Sequence, residues 1–281
     1  MRTIRLLVLL LIALAGVLPA HAQNPWERLP DTPALPKLER SGTVPVNGIR
    51  LWYAAFGHGA PVILLHGGLA NSNYWGLQIP ALASRFEVIV VDSRGHGRST
   101  RNAEPITYHL MASDVLALMD ALHIPKAAVV GWSDGAIIGL DIATHHPDRL
   151  TRLFAFGANS DPSGVKDPSG SPTFANYVSR TTEEYKKLSP APTEFSAFHA
   201  QLNKMWDAEP HFSDAQLRGI TVPTWIVDGD RDEIIKREDT DHMASLIPGA
   251  GELILPRTSH FAFLQDPKQF NDALLHFLGS E

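Results

Sequence analysis

Short apolar runs separated by turn residues recur along this chain, at 61–65, 86–91, 127–130, 150–156, 222–227 and 252–255. They are too short for core helices and rich in Val, Ile, Leu and Phe, which predicts strands buried on both faces, as in a parallel sheet. Between them, 108–122, 136–145, 239–246 and 267–278 place apolar residues at helical spacing. Strands alternating with helices predict an α/β fold whose sheet carries helices on both faces. Ahead of this alternation, 44–56 reads as a hairpin turning at Asn47-Gly48, a pair that tolerates positive φ at both turn positions. Pro45 offers no N–H and confines the first arm to a sheet edge.

Two stretches depart from the rhythm. From 161 to 212 a Pro/Gly/Ser-rich loop (161–172) leads into helical patterns at 174–188 and 193–206, with no strand-like run. An insertion at this point of the order sits above the carboxyl ends of the strands, the edge where open α/β sheets bind ligands. It is read as a helical cap, about 161–212, on a main domain spanning 42–281. At the other end, Arg2 and Arg5 precede an apolar run at 6–18 and then Ala20-His21-Ala22. This is the pattern of a secretory signal peptide, 1–22, cleaved after Ala22. The run falls short of the about twenty apolar residues that span a bilayer, so a secreted or periplasmic mature chain without a stable membrane anchor is expected. Pro25, Pro30, Pro33 and Pro36 make 23–41 an extended arm.

Composition narrows the function classes. The 281 residues carry 24 Lys+Arg against 30 Asp+Glu, a net charge of −6, which leaves no basic footprint for nucleic acid. The absence of cysteine removes disulfides, thiolate zinc sites, thiol nucleophiles and lipoprotein anchoring. A zinc-protease motif is missing, and among the 13 histidines the pair His211 and Asp214 is read as the single His–carboxylate combination at ligand spacing, so no metal site is expected.

The chemistry concentrates at one turn. The run 127–130 leads into Gly131-Trp132-Ser133-Asp134-Gly135 and then a helical pattern, the strand–turn–helix setting of a nucleophile elbow. A serine projected from so tight a turn has strained backbone angles, and glycines two positions either side relieve the clashes. A serine hydroxyl needs a base to take its proton. His260 follows the last strand on a loop leaving the carboxyl edge, whereas His145 and His146 read as surface or capping residues and His66 as structural. The base needs a carboxylate to fix its tautomer. Asp232, deepest in the loop after the penultimate strand, is the expected acceptor, with Asp230 as the alternative and Asp161 a more distant one. The order Ser133, Asp232, His260 suits this type of sheet. Two backbone amides must receive the oxyanion, and Asp134 and Gly68, the latter in His66-Gly67-Gly68-Leu69, are the expected donors. Phe174, Tyr177, Tyr185, Phe195, Phe198, Trp206 and Phe212 in the cap are available to line an acyl pocket or to form the cap's own core.

Taken together, His66-Gly67-Gly68, the segment 92–99 (DSRGHGRS), Gly131-Trp132-Ser133-Asp134-Gly135, Gly229-Asp230-Arg231-Asp232 and Ser259-His260-Phe261 resemble the α/β-hydrolase fold family. The resemblance covers about 42–280 and is nearest to the single-domain esterase, lactonase and C–C hydrolase branch. It implies an eight-stranded, mostly parallel sheet flanked by helices with a small helical cap, and a serine hydrolase that uses no cofactor. Carried over by position, Ser133 is the nucleophile, Asp232 the acid and His260 the base, with the Gly68 and Asp134 amides at the oxyanion. The implied substrate is a small carboxylic ester or lactone, cleaved through an acyl-serine. C–C bond hydrolysis, perhydrolysis of the non-haem haloperoxidase kind and peptidase action on small substrates use the same apparatus, and a non-catalytic ligand-binding homologue is the alternative outside enzymes. The elbow looks like that of amino-acid ester hydrolases. Leu69 departs from the three-glycine oxyanion loop of many lipases, and serine at the elbow argues against the dehalogenase and epoxide hydrolase branches, which carry aspartate there.

Overall fold

The computed structural model describes residues 24–279; the expected signal segment 1–22 lies outside them. Eight strands form one sheet: β1 (Arg40–Val46), β2 (Ile49–Phe56), β3 (Ala60–Leu65), β4 (Phe86–Asp92), β5 (Ala127–Trp132), β6 (Leu150–Phe156), β7 (Thr224–Gly229) and β8 (Gly251–Leu255). Their spatial order is β1-β2-β4-β3-β5-β6-β7-β8. β1 pairs antiparallel with β2, and β2 with β4, while every later pairing is parallel. This is the eight-stranded, mostly parallel architecture expected above. The hairpin turns where the sequence places it, with φ of 39° at Asn47 and 77° at Gly48. Pro45 sits on edge strand β1, opposite Arg50.

Nine α-helices accompany the strands among the described residues. They are α1 (Ile79–Leu82), α2 (Tyr108–Ala121), α3 (Asp134–His145), α4 (Pro172–Leu188), α5 (Phe195–Ala208), α6 (Asp214–Arg218), α7 (Arg237–Leu246), α8 (Ala262–Gln265) and α9 (Pro267–Gly279). No described helix is long and apolar enough to cross a membrane.

The buried strands divide their side chains by simple alternation. Ile63, Leu65, Ile89, Val91 and Val129 face a core shared with α2, α3 and α7. Val62, Leu64, Val88, Val90, Val130 and Phe154 face a second core filled by Trp75, Phe263, Phe270 and Phe277. An uninterrupted apolar run is therefore what a strand with a core on each side requires.

Two boundaries differ from the sequence reading. β7 begins at Thr224 rather than 222, because Pro223 has no N–H to give the ladder, although its carbonyl accepts from Leu153 at 2.9 Å. β5 runs on to Trp132, so the elbow starts inside the strand. The segment from 161 to 212 holds α4 and α5 behind a loop of 3-10 turns, with one isolated bridge between Val165 and Ile235. The proline-rich arm lies across this region: Thr173 donates to the Glu27 carbonyl and Arg180 to those of Leu29 and Pro30.

The loop after β4 explains the motif 92–99. The Asp92 carboxylate accepts from Ser72 N and Oγ, from Arg98 N and from the Arg98 guanidinium. Arg94 grips Asp114 of α2 through two bonds of 2.7 and 2.8 Å, both side chains buried. These charge-assisted contacts fix a loop at the carboxyl edge of the sheet.

Candidate active site

The turn between β5 and α3 is tight because α3 must start against the sheet. Ser133, its N-cap, has φ 55° and ψ −122°, outside the regions a serine ordinarily occupies. Its amide donates to Phe156 O on β6 at 2.8 Å, which anchors the turn to the neighbouring strand. A Cβ on Gly135 would stand 2.2 Å from Leu65 O of β3, closer than any side chain permits. Gly135→Ala is therefore expected to push α3 off the sheet at a cost of about 3 kcal/mol, read as a thermal midpoint roughly 6–12 °C lower. An unchanged midpoint would show that this close approach is not needed.

His260 and Asp232 meet as their loops leave β8 and β7. His260 Nδ1–H donates to Asp232 Oδ2 at 2.7 Å, with both side chains buried. The other carboxylate oxygen accepts the amides of Ile234 and Ile235, at 2.6 and 2.7 Å. Burial alone would raise the Asp232 pKa, but the His260 charge, its hydrogen bond, a bond from Asp228 and the Ile235 amide together lower it to about 2. For His260, burial favours the neutral ring, yet the Asp232 charge and hydrogen bond outweigh it, with Glu233 and Asp134 adding to them, and its pKa lies above 6.5. The other acceptors weighed for His260 are engaged elsewhere: Asp230 takes the Thr258 amide at 3.2 Å, and Asp161 pairs with His211 at 2.6 Å.

Ser133 and His260 line one cavity of about 720 Å³, together with Gly68, Asp134 and Trp132. The loop carrying Gly67 and Gly68 passes close above the turn: a Cβ on Gly67 would stand 3.0 Å from Ser133 Cβ. The Gly68 carbonyl is held by the Tyr177 hydroxyl of α4. Asp134 N–H is the first amide of α3, one of the four that lack an intrahelical acceptor, at the positive end of the helix dipole. An anion beside Ser133 therefore meets an oriented donor.

Of the cap aromatics, Phe174, Tyr177 and Trp206 line the cavity. Tyr185 and Phe198 are instead stacked in the core beneath, with Phe195 and Phe212 packed against it. His66 is buried, donating to Gly67 O and accepting from Ser93 N, and burial lowers its pKa.

Several groups escaped the sequence reading. The Asp134 side chain is buried and accepts from the Tyr108 hydroxyl at 2.8 Å and from Trp206 Nε1 at 3.1 Å. Burial pushes its pKa up to about 6, against those two donors and the His260 charge. Asp228, at the end of β7, is pushed well above the carboxylate range by burial and by the neighbouring Asp232 charge. Glu233 accepts the His260 amide at 3.2 Å. The run of acids at 228–232 was the visible signal for Asp228, while Tyr108 and Trp206 lie too far from Asp134 in sequence for spacing to reveal them.

The histidine reading also needs correction. His211 and Asp214 are not partners: His211 pairs with Asp161, and Asp214 with His242 at 3.2 Å. Among the described residues, the cluster that forms is His109, Asp141 and His145. Asp141 and His145 are four residues apart on one helix and were legible as a pair, whereas His109 arrives from α2.

Comparison with known proteins places this geometry in context. The alpha/beta hydrolase fold family model matches residues 60–194. The putative carbamate hydrolase RutD of Caulobacter vibrioides (strain NA1000 / CB15N) is 31% identical over 254 residues, covering 79% of this chain and 93% of that protein. The pimeloyl-(acyl-carrier protein) methyl ester esterase of Aeromonas hydrophila is 26% identical over 252 residues, covering 80% and 97% respectively. Among solved structures, Est816, an N-acyl homoserine lactone degrading enzyme, superposes with a TM-score of 0.68 at 26% identity, over 84% of this chain and all of that one (100%).

Proposed function

The chain belongs to the α/β-hydrolase fold family and is a hydrolase, and from that premise we propose that it cleaves a small carboxylic ester or lactone through an acyl-serine intermediate. The observation that carries this reading is the 2.7 Å bond from His260 Nδ1–H to Asp232. It leaves Nε2 as the basic nitrogen on a ring that lines the same cavity as Ser133.

In the proposed sequence, His260 Nε2 takes the Ser133 proton as Oγ attacks the substrate carbonyl carbon. The carbonyl electron pair moves to oxygen, and the oxyanion is received by the Asp134 and Gly68 amides. Collapse breaks the acyl–oxygen bond, and His260 gives its proton to the departing alcohol. Water then repeats the attack on the acyl-serine, with His260 again as base, releasing the carboxylic acid and restoring Ser133. Every proton is returned within one turnover, so these residues complete the cycle on their own.

The cavity fits this reading in size, since small-ligand sites span about 300–1,000 Å³, and its Phe174, Tyr177, Val178 and Trp206 wall is suited to an apolar acyl group. The Asp134 carboxylate, charged above about pH 6, adds a negative point beside the nucleophile. That favours including an α-amino ester among the substrates tried. A panel of p-nitrophenyl esters of increasing acyl length, α-amino esters and lactones tests the proposal. Turnover of a short ester or a lactone is expected, and failure of the whole panel would overturn it. From the leader read at 1–22, which lies outside the described residues, we infer a reaction beyond the cytoplasm, and a mature chain beginning at Gln23 by mass spectrometry is the expected result.

A further inference from the structure

On the far side of α3 from the elbow, two imidazoles close over a carboxylate. Asp141 is 6% exposed, yet among the described residues its side chain meets no lysine, arginine or backbone amide. Its side-chain neighbours are His109 Nδ1 of α2, at 3.1 Å from Oδ1, and His145 Nδ1, at 3.5 Å from Oδ2 and hydrogen-bonded at 3.0 Å to the Asp141 main-chain carbonyl. The rings stand 5.2 Å apart at 76° to one another, too steep to stack. One nitrogen from each ring and a carboxylate oxygen lie within 4.8 Å of one another.

We propose that His109, Asp141 and His145 bind a borderline divalent cation, of which Zn²⁺ is the best fit, clipping α2 to α3. The donor set selects the metal: two imidazole nitrogens and one carboxylate suit zinc and its first-row neighbours, whereas calcium and magnesium take oxygen ligands. The spacing agrees. Ligands at 2.0–2.2 Å from a tetrahedral ion are about 3.3 Å from each other; His109 Nδ1 stands 3.1 Å from one Asp141 oxygen and His145 Nδ1 3.5 Å from the other, near that value for a carboxylate that turns both oxygens to the ion. A cation entering between them replaces the present Nδ1–H contacts: each neutral ring moves its proton by way of solvent from Nδ1 to Nε2 and turns the bare Nδ1 to the ion. It also supplies the positive charge that a buried carboxylate otherwise lacks. Both imidazoles are solvent-exposed, with side-chain accessibilities of 65% and 39%, so the ion has an entry path and water can fill the fourth position.

The clip is separate from the hydrolytic chemistry. Asp141 lies eight residues along the helix from Ser133, about 12 Å at 1.5 Å per residue, so the ion would not touch substrate.

Isothermal titration of the mature, untagged chain with ZnCl₂ tests the proposal. One zinc per chain is expected, with affinity reduced at least tenfold in His109→Ala and in His145→Ala. Both substitutions remove exposed rings and leave the core intact. His242→Ala, which removes an exposed histidine paired with Asp214 instead, is expected to bind zinc as the parent does. Zinc should also raise the thermal midpoint of the parent and not that of His109→Ala. Absence of binding in the parent, or equal binding by the parent and both ring variants, would overturn the assignment. Neither result bears on ester hydrolysis.

Discussion

Ser133→Ala is expected to lose on the order of 10⁶ in kcat on an activated ester, the size of loss that follows removal of the nucleophile from a Ser-His-Asp apparatus. The argument is geometric. Asp232, His260 and the amides at Gly68 and Asp134 all remain, but no atom is left to form the acyl bond, and what survives is the binding and oxyanion contribution alone. The fold should tolerate the change. The turn is imposed by Gly135 pressing on β3 and by the Ser133 amide bonding to Phe156, and alanine keeps both. The check is kcat alongside thermal unfolding. An unchanged midpoint with activity gone supports the proposal, and activity within tenfold of the parent removes Ser133 from it.

Asp232→Asn is expected to cost about 10⁴ in kcat, and to move the pH profile in a direction that can be worked out beforehand. In the parent, the Asp232 charge and hydrogen bond hold the His260 pKa above 6.5 against burial. His260 acts as a base only when neutral, so kcat/KM should fall as pH drops through that raised pKa, with the acid limb centred above 6.5. Asparagine removes the charge while burial remains, so the limb shifts to lower pH. The asparagine amide also presents a donor to Nδ1, which favours the wrong tautomer, so activity is not expected to recover at the new optimum. The pH dependence of kcat/KM for both proteins decides the matter. A limb that stays in place would mean that a different carboxylate sets the histidine.

How much of this was readable beforehand follows from where each determinant lies. The hairpin was legible because Asn47-Gly48 encodes its turn locally. The parallel sheet was legible because continuous runs such as 61–65 have no polar face to expose. The elbow was legible because Gly131 and Gly135 flank Ser133 within five residues. Asp232 could be preferred over Asp230 by its depth in the loop, but only the folded loops reveal that Asp230 is taken up by the Thr258 amide. The Tyr108–Asp134–Trp206 contact and the meeting of His109 with Asp141 join residues distant in sequence, with no repeating spacing to mark them. The same holds for the cap, whose aromatic residues share one helical spacing although Phe198 is buried in the core and Trp206 faces the cavity.

The claim beneath all of this is that one hydroxyl, activated by its imidazole neighbour, forms a covalent bond. Intact-mass and peptide mapping after exposure to a fluorophosphonate tests it most directly. A single adduct on the peptide bearing Ser133, slowed strongly by His260→Ala, is the predicted outcome; an unmodified protein, or an adduct on another serine, would contradict the account.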